Sequence, residues 1–243
     1  MNERWNLDSL YHGFSDPNFT GDLQALKVAC GRFDTFTKSL EEMDPAHALR
    51  QGIEALEEIS SLSNLLLEYA SLRQSADTSD AEASSALGQV MAVVSQCAGA
   101  YARFQTYAAG LPNLDEILEA DELLRQYRFY FRQVREGSRY LLGSQGEDIM
   151  AKMQLSGSSA WSDLQAYLTS TVSVDYNGGV TNLSAIRNLA YDPDPAVRKA
   201  AYEAELACYD KIKDPVAFAL NSIKLETIHA AQLRGYESPL DKA

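Results

Sequence analysis

Histidine and cysteine are scarce, with three of each in 243 residues. His12, His47 and His229 are followed by Gly13, Ala48 and Ala230, so no H-E-x-x-H zinc pair can form. Cys30, Cys97 and Cys208 lie far apart and are odd in number, which excludes a disulfide framework or a C-x-x-C knuckle and reads as buried thiols. G-x-S-x-G, G-x-x-x-x-G-K-[ST] and G-x-G-x-x-G are all missing, so a nucleophile elbow and the common phosphate cradles have no support. Positive charge is also short: 21 basic residues face 34 acidic ones, a net charge of −13. Such a chain repels phosphate backbones and anionic lipid. The opening MNERWNLDSL has no basic stretch ahead of an apolar run, so no secretory leader is expected, and a reducing cytoplasm suits the thiols.

Long apolar runs are missing too. Residues 83–102 carry no charge and have the length of a membrane span, yet they include Ser84, Ser85, Gln89, Ser95 and Gln96. The expectation is a central helix wrapped by other helices, with no membrane partner.

What is present is helical periodicity in a chain of ordinary globular composition, 46% apolar. Leu23, Leu26, Cys30, Phe33, Phe36 and Leu40 recur every three or four residues. Asp44-Pro45 opens a second helix through Ile53, Leu56, Ile59, Leu66 and Tyr69, and a third runs from about 81 to 109. Shorter helices follow to about 168. Then Thr171–Tyr176 alternates, Asn177-Gly178 follows and Val180–Leu183 resumes, the pattern of a two-residue hairpin. Asp194-Pro195 and Asp214-Pro215 open the last helices, and Arg234-Gly235 ends the final one. The expected fold is mainly α: a multi-helix array of long antiparallel helices with one β-hairpin near 171–183. The expected division is 1–170, an N-terminal helical domain, and 171–243, the hairpin with its following helices.

Few residues suggest chemistry. Glu226 and His229 have the Glu-x-x-His spacing of di-metal bundles, but no second such pair exists, so a surface or interface pair is the expectation. Arg125, Arg128, Arg132 and Arg135 form a row that reads as a solvated helix face rather than a phosphate track. Trp161 reads as a core anchor and Trp5 as an N-terminal latch. Arg234 and Tyr236 sit beside a chain reversal and read as a structural cap. In the helix from Pro215, apolar residues spread over more than one face, so part of it needs cover. Self-association is expected where that cover is missing.

Several segments carry a family resemblance. The opening Trp5–Tyr11, the run Leu183–Asp192 with Ala196–Glu205 behind it, and Ala219–Glu226 followed by Arg234–Asp241 resemble oligoendopeptidase F-like zinc metallopeptidases of the thimet type. The resemblance implies a cytoplasmic enzyme about twice this length that hydrolyses short peptides with zinc-bound water and a Glu base. Its H-E-x-x-H helix lies in the C-terminal half, so no catalytic, metal-binding or substrate-binding residue can be placed in this chain. By that reading 1–170 forms one wall of a peptide channel, 171–243 begins the catalytic region, and the chain alone is inactive. The full enzyme would use zinc and this chain alone would bind none. Short peptides, the missing C-terminal region and a possible homo-oligomer are the implied partners. The alternative is a non-catalytic helical module that binds peptides or a partner subunit.

Overall fold

Aspartate starts most of the long helices. In the computed structural model, which describes residues 6–242, Asp16 Oδ1 accepts from the Asn18 N–H at 2.9 Å ahead of α1 (Pro17–Phe36). Asp44 and Asp80 cap α2 (Pro45–Ala76) and α3 (Ala81–Ser95) in the same way, each at 3.0 Å. Each cap satisfies a backbone donor that the helix cannot, and is worth about 1 kcal/mol. Pro17 and Pro45 fall in the first turn, where a missing N–H costs nothing.

The chain divides into two units, Met1–Met153 and Gln154–Ala243. In the first, α1, α2 and α3 pack side by side in up-and-down order. They are followed by α4 (Ala98–Gly110), α5 (Leu114–Ala120), α6 (Glu122–Gln126), α7 (Arg128–Gly137) and α8 (Gly143–Gln154). One continuous core holds Phe33, Leu49, Leu66, Tyr69, Phe104 and Phe131, all essentially inaccessible. Tyr11, Phe14, Phe19 and Tyr69 meet largely edge to face at 5.1–6.0 Å. Gly52 has no side chain because the Phe104 ring occupies the space a Cβ would take. Arg50 forks onto Asp121, with Nε–Oδ2 at 3.0 Å and Nη2–Oδ2 at 2.7 Å. The Leu124 N–H and that guanidinium hold the Asp121 carboxyl below its usual range. Its contribution to stability is therefore present at neutral pH and lost as pH falls through the lowered value.

Three expectations need correction in this unit. The helix expected over 81–109 breaks at Gln96-Cys97 into α3 and α4. Asp148 Oδ1 takes the Gly99 N–H at 2.7 Å, and a Cβ on Gly99 would collide with that carboxylate. Nor is α3 wrapped: Ser84, Ser85, Gly88, Gln89 and Ala92 stay exposed, because α1 and α2 cover only the side bearing Ala86, Val90 and Val93. Finally, Cys30 and Cys97 are not two thiols but one disulfide, with Cα atoms 5.7 Å apart. Spacing of 67 residues hides what the packing of α1 against the α3–α4 junction brings together. In the chain-entropy account a loop of that length is worth about 4 kcal/mol. Cys208 is the buried thiol expected, and burial pushes its pKa up.

The second unit contains a π-helical bulge at Leu155–Ser159, α9 (Ala160–Thr171), α10 (Leu183–Asn188), α11 (Pro195–Tyr209) and α12 (Lys213–Arg234). Between α9 and α10 lies the hairpin, β1 (Ser173–Tyr176) paired antiparallel with β2 (Gly179–Asn182). Asn177 at φ 50° and Gly178 at φ 78° make the two-residue turn that the sequence signals. Asn182 caps α10 and Asp194 caps α11 at 2.8 Å each. Asp214 does not cap α12, which begins one residue earlier at Lys213 and takes Pro215 into its first turn. Gly235, at φ 79°, ends it in the left-handed conformation.

The mainly helical array with one hairpin is as expected. In the second compact unit α9 packs on α12. Trp161 on α9 is half-buried rather than a core anchor, since that helix has no fully buried residue. Trp5 lies outside the described residues. The core of the second unit is small: Val172, Val174, Leu183, Ile186, Ala201, Cys208 and Ile212.

Candidate functional site

Glu226 is the one carboxylate that sequence spacing marks for chemistry, and the structure gives it another task. At the π-bulge, Gly157 leaves helical geometry with φ −95° and ψ −118°, which releases backbone donors from the helical ladder. Glu226 Oε2 accepts from the Ser158 N–H at 2.6 Å, and Oε1 accepts from the Ser158 hydroxyl at 2.7 Å. Gly157 has to be glycine here, because a Cβ would overlap the Glu226 carboxylate. His229, one turn along α12, is exposed. Both oxygens of Glu226 are thus engaged by Ser158. Among the described residues no three His, Cys, Asp or Glu side chains converge as a metal site. The donor set of these residues does not fit a zinc ion.

The other marked residues also serve the fold. Arg125 and Arg128 lie near Glu119 at 3.8 and 3.1 Å, and Arg135 pairs with Asp115 at 3.0 Å, a solvated face as expected. The Gly235 and Tyr236 N–H groups donate to the Gln232 and Ala231 carbonyls at 3.1 and 3.0 Å, closing the end of α12, while Arg234 and Tyr236 are half-buried there. Spacing alone could not reveal Ser158 as the partner of Glu226. The Leu155–Ser159 bulge that creates the need is signalled only by Gly157 among polar residues.

The remaining feature is a surface. In α12, Ala219 and Ala230 face the unit's interior, whereas Phe218, Leu225 and Ile228 lie on the opposite side, with Phe218 71% exposed. Tyr191, Tyr202 and Leu206 are exposed in the same unit. This matches the expectation that apolar residues of α12 spread over more than one face. No helix among the described residues is long and apolar enough to cross a membrane.

Comparisons with known proteins turn on this fold. Residues 111–173 match the N-terminal family model described as oligopeptidase F. The crystal structure of oligoendopeptidase-F from Enterococcus faecium superposes with a TM-score of 0.79 at 19% identity, covering 94% of this chain. The chain thus shares the fold of that oligoendopeptidase-F structure. A putative peptidase from Chlamydophila abortus is also similar, with a TM-score of 0.50, 17% identity and 98% of this chain covered. No curated protein matches the sequence. The chain spans less than half the length of these structures, 46% and 41%. The stretch matching the oligopeptidase F model runs from the start of α5 to β1, so it does not include 183–205 or 219–241, which carried the resemblance in the sequence.

If Glu226 serves the bulge, Glu226→Ala should lower stability by about 2 kcal/mol, the scale of hydrogen bonds to a charged group. Urea denaturation measures this. Metal content, read by atomic absorption on the same samples, should be the same for both proteins. A zinc ion bound by the original chain and lost from the variant would return Glu226 to a ligand role.

Proposed function

We propose that the chain is the N-terminal, substrate-channel portion of a zinc-dependent oligoendopeptidase that hydrolyses short peptides. The carrying observation is the oligoendopeptidase-F fold over 94% of the chain, joined to the family match over 111–173. In this reading residues 1–170 form one wall of a peptide channel and 171–243 begin the catalytic region. The zinc chemistry, Lewis-acid activation of water beside a Glu base, comes from residues outside this chain. The chain alone is inactive. Its acidity suits neutral or cationic peptides over anionic polymers. By the same reading the enzyme is cytoplasmic.

One purified sample, assayed for bound zinc and for cleavage of a quenched fluorogenic peptide, tests this reading. The expected result is neither stoichiometric metal nor turnover. Both present, and lost together on adding a chelator, would contradict it. The ligand search would then start at Glu226 and His229.

Self-association follows from the same reading, through the exposed side of α12 when the rest of the enzyme is absent. Sedimentation should show a concentration-dependent species that Phe218→Glu weakens. A strictly monomeric profile at high concentration would count against it.

A further inference from the structure

The hairpin has two outer edges, and among the described residues a side chain bonds the outward backbone of only one of them. In a two-residue type I′ hairpin the residues flanking the turn exchange both backbone hydrogen bonds, and the pattern then alternates along the ladder. With Tyr176 opposite Gly179 and Val174 opposite Thr181, the groups facing the partner strand belong to those four residues. The groups facing outward belong to Ser173 and Asp175 on β1, and to Val180 and Asn182 on β2. Lys211 verifies this assignment independently, because its ammonium donates to the outward Ser173 carbonyl at 2.9 Å and also to the Asp175 carboxylate at 2.8 Å. Lys211 therefore sits on the β1 edge, and α11 packs against β1.

The β2 edge has no counterpart to Lys211. Among the described residues no side chain or backbone group bonds the outward N–H or carbonyl of Val180. The Val180 side chain is 73% exposed. An isolated hairpin is marginal in water, and an open edge is a template for another strand. The unit that carries it also leaves Phe218 and Leu225 uncovered around a core of seven buried residues. The oligoendopeptidase-F structure that shares this fold holds more than as much chain again, since this chain covers 46% of it.

We infer that the outer edge of β2 receives a strand from the other half of the oligoendopeptidase-F fold, turning the hairpin into a three-stranded sheet. The inference rests on the proposed function, which places that half in the same polypeptide. Recognition is by main chain: Val180 supplies an N–H and a carbonyl and Asn182 an N–H, with the incoming strand lying next to the exposed Val180 side chain.

Amide hydrogen exchange tests it on two polypeptides, the 243-residue chain and the full product of the gene that encodes it. In the short chain the Val180 and Asn182 amides should exchange freely, while the Thr181 amide, which faces β1, is protected. In the full product the Val180 and Asn182 amides should slow by about 100-fold or more, as for ordered interstrand bonds. Val180→Pro removes the outward N–H at a position where the hairpin does not use it, so Thr181 protection in the short chain should survive. In the full product the same change should lower the melting midpoint, while Val180→Thr should not. Equal exchange of Val180 in both polypeptides, or a gene that ends at codon 243, overturns the inference. Cleavage of a fluorogenic peptide separates the two ideas. A full product that cleaves peptide with Val180 still exchanging freely overturns the inference alone. One that protects Val180 and cleaves nothing overturns the proposed function alone.

Discussion

A helix or hairpin is stable in water only when its apolar face is covered, and the two units differ most in this respect. In the first, aromatic and aliphatic residues from α1 to α7 merge into one core that includes Phe33, Leu66, Phe104 and Phe131. At roughly 25 cal/mol per Å² of apolar surface removed from water, such a core is the dominant stabilising term. A disulfide and the Arg50–Asp121 fork add cross-links within it. In the second unit, three of the last buried positions are alanines, Ala219, Ala230 and Ala231, which remove little area. Large apolar side chains such as Phe218, Tyr191 and Leu225 remain in water instead.

That contrast links fold to function more firmly than any single side chain. The second unit exposes large apolar residues, and among the described residues the outward backbone groups of Val180 have no hydrogen-bond partner. The polar interactions in it are local props: Glu226 holds the Ser158 bulge, and Arg187 joins Glu205 and the Tyr209 hydroxyl at 2.8 and 2.6 Å. The Tyr209 hydroxyl and the Arg187 guanidinium keep Glu205 below its usual pKa. This charged cluster orders α10 against α11.

Much of the fold was legible because its signals are local. Asp-Pro at 44–45 and 194–195 states a cap and a first turn in adjacent residues, and Asn177-Gly178 states a hairpin turn through the positive φ both positions need. What stayed hidden depends on partners distant in sequence. Nothing near Gln96 announces a helix break, because the carboxylate that takes the Gly99 N–H comes from Asp148. Nothing near Cys30 points to Cys97. Glu226 and His229 advertise a metal spacing, and only the fold shows that Ser158 uses both carboxylate oxygens. The family resemblance lay in whole segments rather than in a site, which is why it foresaw the fold without supplying a residue that does chemistry.

Native-state hydrogen exchange at rising urea concentrations addresses the central claim, that residues 154–243 are incompletely buried while 1–153 have a sufficient core. The account predicts that amides of α11 and α12 open at a lower free energy than those of α1, α2 and α4, as a separate cooperative step. A single transition in which all these helices open together, with equal free energies, would contradict it.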